Sequence, residues 1–137
     1  MIATLSPARQ PRVTHTLPAV AASTVAARRI VREALAAWLV ETLADDGALL
    51  VTELVSNAVQ HTGSRFLRVT VTRLDPTSVR ISVVDKSPDP PIRVSANEDS
   101  VRGRGLALIE AITTRWGTDP LRWGKRVWGD LTVHASQ

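Results

Sequence analysis

Apolar spacing changes at Thr62-Gly63, and that change limits the folds open to this chain. Before it, "STVAARRIVREALAAWLVE" (23–41) and "TELVSNAVQHT" (52–62) repeat apolar residues every three or four positions, the period of a helix packed on one side. After it, Leu67, Val69 and Val71 alternate with polar residues. Val79, Ile81 and Val83 do the same beyond the Asp75-Pro76 turn, which is the period of half-buried strands in a β-hairpin. One-sided helices and one-sided strands bury their apolar faces by covering each other. The expected fold class is therefore α/β, a two-layer sandwich with a mixed or antiparallel sheet and about three helices on one face.

At 137 residues the chain is sized for one domain, read as 12–135, after a loose segment 1–11. "RVTHTL" is expected as an edge strand. The first helix presents Val31, Ala34, Leu35, Trp38 and Leu39, with Ser23 or Thr24 as N-cap. "ADDG" is expected to break the pattern, Asp45 or Asp46 to cap an antiparallel second helix, and that helix to end near Thr62-Gly63. Residues 86–102, "KSPDPPIRVSANEDSVR", carry three prolines and little periodicity, and so long a loop is expected to act as a lid. "GRGLALIEAITTRW" then starts a helix with Leu106, Ile109 and Ile112 on one side and Leu108 broadening it. Two closing strands are expected around a turn near Gly124, with Val127, Leu131 and Val133 inward. Trp116, Trp123 and Trp128 are read as packing residues, and Lys125 and Arg126 as solvated charges in a turn.

Composition excludes several classes of function. No cysteine is present and the three histidines are widely spaced, so a bound metal is expected to take oxygen ligands. No apolar run spans a bilayer and no signal-peptide core is visible, so a cytoplasmic protein without a membrane partner is expected. The formal charge of +4 is spread through every segment and no aromatic residues interleave with the arginines. A small basic nucleic-acid-binding domain is therefore a minor alternative, and no direct nucleic-acid partner is expected.

Glu53, Asn57 and His61 recur every four residues, so successive side chains drift only about 40° around a helix and form one polar line beside Leu50, Leu54 and Ala58. A solvated helix face is the plain alternative. Context argues against it. Asp85 continues the inward phase of Val79, Ile81 and Val83, placing a carboxylate towards the core at a strand end. Beyond the loop, Gly103 and Gly105 let the backbone come close to a ligand at a helix start, where free N–H groups favour phosphate. Amide, carboxylate and glycine-rich helix start in this order describe a nucleotide pocket.

"ELVSNAVQH", "VVDKSPDPP", "GRGLALIE" and "GKRVWGDL" resemble the N-box, G1 box, G2 box and closing strand of the histidine-kinase-like ATPase fold (the Bergerat ATP-binding fold). This fold is shared by sensor kinases, gyrase and the anti-sigma factor serine/threonine kinases, and the wording is most similar to the last branch. The resemblance implies ATP and Mg2+ as cofactors. Asn57 would be the magnesium ligand, Glu53 the base or the group orienting the attacking hydroxyl, and Asp85 the acceptor for the adenine amino group. Gly103 and Gly105 would hinge the lid and approach the phosphates, with Arg104 as an electrostatic contact. Where the family commonly has glycines after the G1 aspartate, this chain has Ser87-Pro88-Asp89-Pro90, a stiffer turn. His61 either approaches the phosphates or caps the helix end. The implied function is phosphorylation of a protein antagonist together with sequestration of a sigma factor, and the branch admits a homodimer. The alternative is a nucleotide-gated binding module without phosphotransfer.

Overall fold

Five strands form one antiparallel sheet in the order β1-β2-β3-β5-β4. They are β1 (Arg12–Pro18), β2 (Phe66–Asp75), β3 (Ser78–Lys86), β4 (Arg115–Leu121) and β5 (Gly124–Thr132). The structure is a computed structural model that describes residues 10–61, 64–86 and 106–134. Helices α1 (Ser23–Ala37) and α2 (Ala44–His61), and the helical residues 106–112 (α3), complete the two-layer α/β sandwich. "RVTHTL" is the edge strand expected of it, pairing with β2 alone among the described strands.

Alternation along β2 and β3 builds the floor of the core. Val69 pairs with Val83 and Val71 with Ile81, and all four are at most 1% exposed. The hairpin turn is held by Asp75, whose Oδ1 accepts the Thr77 N–H at 2.8 Å. β4 tolerates Pro120 because it is an edge strand, where a missing N–H costs no ladder bond. On β5, Val127 and Leu131 point inward as expected, with Gly129 between them in phase. A Cβ on Gly129 would lie 2.8 Å from Thr113 Cγ2 and 3.1 Å from Leu50 Cδ2, so glycine lets α2 and the residue after α3 close onto the strand. Val133 packs against the core one residue beyond β5, its N–H donating to the Thr77 carbonyl.

The helices carry out the expected burial with some corrections. Val31, Ala34 and Leu35 are buried, but Leu39 lies past the helix end at φ 59° and is 82% exposed. Its apolar spacing therefore belongs to the turn. Neither Ser23 nor Thr24 caps α1. Ala22 holds the cap position, while the Ser23 hydroxyl donates to the Pro18 carbonyl at 2.7 Å and ties α1 to the end of β1. The "ADDG" segment does not break the chain either. A 3-10 turn at Glu41–Leu43 precedes α2, and Asp45 and Asp46 sit in the first turn of α2, where carboxylates suit the helix dipole. Gly47 is needed for helix packing, since a Cβ there would lie 2.9 Å from Val31 Cγ1. That contact, the Arg32–Asp45 ion pair at 3.2 Å and the Arg28–Thr52 hydrogen bond set α1 and α2 antiparallel.

α3 buries Ile109 fully and Leu106 and Ile112 partly. Lys125 and Arg126 are strand residues, the turn being formed by Arg122 and Trp123, and Arg126 pairs with Asp119 at 2.9 Å. Trp116 packs against the core, and Trp128 lies under the Arg80 guanidinium at 4.0 Å from the ring centroid. Trp123, at 45% exposed, does not take the packing role expected of it. Among the described residues no helix is long and apolar enough to cross a membrane.

Candidate nucleotide site

The direction of α2 over the sheet decides what its polar line can reach. Asp46, in its first turn, shares a cavity with Leu131, Thr132 and Val133, and Leu50 sits against Gly129. The helix therefore advances along β5 towards the start of that strand. Asn57 lies about 16 Å further along the helix than Asp46, and Lys125 about 20 Å along the strand from Leu131, at the usual rises per residue. Asn57 thus arrives over the end of the sheet where Lys125 pairs with Asp85. An amide from the helix layer and a carboxylate from the sheet layer come to the same end of one interface.

Both are taken out of water. Asn57 is 7% exposed and Asp85 is 6% exposed, so Asn57 does not belong to a solvated helix face. Burial of such groups is costly unless their polar atoms are satisfied. Glu53, one turn before Asn57, is half-buried. Leu50, Val51, Leu54 and Val55 around this line are fully buried and fix the rotation of the helix.

Asp85 is the next-to-last residue of β3, paired with Leu67 on one side and Lys125 on the other. Directly opposite residues share a sheet face. Lys125 therefore lies on the same helix-covered face as the carboxylate, where it is half-buried. Reading Lys125 as a turn residue concealed this. The signal was available: Val127 and Leu131 are assigned inward, and Lys125 is two residues earlier in the same phase.

Of the lid expected at 86–102, Lys86 is instead the last residue of β3 and 87–102 lie outside the described residues, as do Gly103, Arg104 and Gly105 and the His61 side chain. Among the described residues no group of three or more His, Asp or Glu gathers into a metal cage. A buried amide oxygen by itself fits a hard cation that keeps several waters and takes its other ligands from bound phosphates, as magnesium does. The donor set on hand therefore suits a magnesium nucleotide.

Comparison with curated proteins gives no match. The model of the histidine kinase-like ATPase domain matches residues 17–121, which takes in α1, α2, β2, β3, α3 and β4 together with Asn57 and Asp85. By that match, over more than half of its length, the chain belongs to the histidine kinase-like ATPase domain family.

Proposed function

We propose that this domain is an ATP-dependent serine/threonine protein kinase of the anti-sigma-factor type, which phosphorylates a protein antagonist and sequesters a sigma factor. Domains of this family bind ATP, typically with Mg2+. The observation that supports the nucleotide half of the reading best is the burial of Asn57 and Asp85, which the rises per residue along α2 and β5 carry towards one end of the helix–sheet interface.

In this reading the Asp85 carboxylate accepts a hydrogen bond from the adenine amino group, which gives preference for adenine over guanine. The Asn57 amide oxygen would hold magnesium, whose charge would offset that of the phosphates. Glu53, one turn away, orients the acceptor hydroxyl and takes its proton. Gly103 and Gly105 are assigned to the lid hinge and the phosphates by the family resemblance, with Arg104 as an electrostatic contact beside them. Phosphoryl transfer depends mostly on positioning and charge neutralisation, so these residues suffice without a strongly perturbed base.

A half-buried Glu53 beside Asn57 favours the kinase over a nucleotide-gated binding module, which has no use for it. The deciding experiment is incubation with γ-labelled ATP, magnesium and a partner captured from the native host. Serine- or threonine-linked phosphate on the partner is expected. Nucleotide binding without any transfer would favour the gated module.

A further inference from the structure

The sheet has a second face that the helices do not cover. On β2, Phe66, Arg68, Thr70 and Thr72 alternate with buried Leu67, Val69 and Val71. On β3, Arg80, Ser82, Val84 and Lys86 alternate with the core residues in the same way. Two grooves run over this face. One, of about 830 Å³, is lined by apolar Phe66, Leu121 and Trp123 and by the cations Arg65, Lys86 and Arg122. The other, of about 450 Å³, is lined by Arg12, Thr70, Arg80 and Arg126. They share Arg68 and Val84, so they form one continuous track.

The chemistry of the track is one-sided. Neither groove is lined by a carboxylate among the described residues. The acids of this face are already engaged: Asp130 accepts both Arg80 bonds at 2.7 and 3.0 Å, and Asp119 accepts Arg126 at 2.9 Å. Among the described residues Arg12, Arg65, Arg68, Lys86 and Arg122 are left in excess. At the end of the track Phe66 is 56% exposed and Trp123 is 45% exposed, an apolar anchor point of the kind that dominates protein interfaces.

We infer that the open sheet face docks an acidic segment of a partner protein, anchored by an apolar side chain between Phe66 and Trp123. The track along β2 from Phe66 to Thr72 is about 20 Å, room for six or seven extended residues. Cations along its length match carboxylates of the segment, and the threonine row offers hydrogen bonds. A nucleic acid fits less well, because Phe66 and Trp123 sit at one end and Trp128, further along the face, is covered by the Arg80 guanidinium, which leaves bases without stacking partners along the cations. Docking on this face needs no nucleotide, so it stands or falls apart from the phosphotransfer reading.

The test uses the full chain and fluorescence anisotropy without ATP. The probes are a labelled dodecapeptide of glutamates with one leucine and one phenylalanine near an end, the same peptide with lysines for glutamates, and a single-stranded DNA 20-mer. The glutamate peptide should bind, and Arg68→Glu, at the residue common to both grooves, should weaken it by roughly tenfold or more. Trp123→Ala should weaken it by several-fold, while Arg32→Glu on exposed α1 should leave it unchanged. Circular dichroism confirms that each variant is folded. Equal binding of the lysine peptide, equal loss in Arg32→Glu, or tighter binding of DNA that depends on Arg68 would each overturn the proposal.

Discussion

The main-chain carbonyl oxygen of Asp85 occupies the space that a Cβ on Gly124 would need, so the start of β5 lies directly against the end of β3 that carries the buried carboxylate. Gly124 also holds φ at 157°, which L side chains rarely adopt. Gly124→Ala should therefore lower stability by about 1–3 kcal/mol and weaken ATP binding at the same time. Thermal unfolding beside nucleotide titration checks this. A variant of parental stability and affinity would show that the β3–β5 end gives way without cost.

Asp85→Asn should act chiefly on the ligand. It keeps size and burial at a position only 6% exposed, and it exchanges a charged acceptor for a neutral one. A hydrogen bond to a charged group contributes about 1.5–3 kcal/mol, so ATP affinity should fall roughly ten- to hundredfold with the unfolding midpoint little changed. Preference for ATP over GTP should shrink as well.

Asp130→Ala should do the opposite. Its carboxylate is 6% exposed and accepts two bonds from Arg80, which also stacks on Trp128. Arg80 is 35% exposed and recovers part of its solvation from water, so the loss should be about 1–3 kcal/mol, less than for a fully buried pair. ATP affinity should be retained, because this cluster lies on the face away from the helices. Denaturant unfolding and nucleotide titration of the same variant separate the two effects.

The Asp75 carboxyl accepts the Thr77 N–H, and this bond holds it below its ordinary value of 3.8 in the folded protein. A lowered folded value means that its contribution is present above about pH 4 and is lost as pH falls through the folded value. Asp75→Asn should therefore show a shallower decline of unfolding midpoint on acidification than the parent. Parallel curves would mean that the turn carboxylate has no share in acid stability.

The layers and the hairpin were legible because period two and period 3.6 each record a buried face. Asp85 was placed inward from phase alone, and the structure buries it. The failures came where tertiary contacts decide. Gly47 looks like a helix breaker in isolation, but it is where α2 closes on Val31 and Leu35. Leu39 keeps the apolar spacing, yet the helix has ended at Ala37 and Leu39 is itself the left-handed residue that turns the chain away. Lys125 was missed because its place beside the turn expected near Gly124 suggested a solvated charge, although its phase pointed inward. The open sheet face was not legible at all, since arginines on separate strands form one track only after the strands pair.

Asn57 and Glu53 lie one helical turn apart on α2, yet one is assigned to the metal and the other to the acceptor hydroxyl. The most direct measurement is calorimetric titration of ATP, with and without magnesium, into the parent, Asn57→Ala and Glu53→Gln. The account predicts magnesium-dependent binding by the parent, loss of most of that dependence in Asn57→Ala, and near-parental binding by Glu53→Gln, whose defect appears only in phosphotransfer as about 10²–10⁴ in rate. Binding that is indifferent to magnesium in the parent, or unchanged by Asn57→Ala, would contradict it.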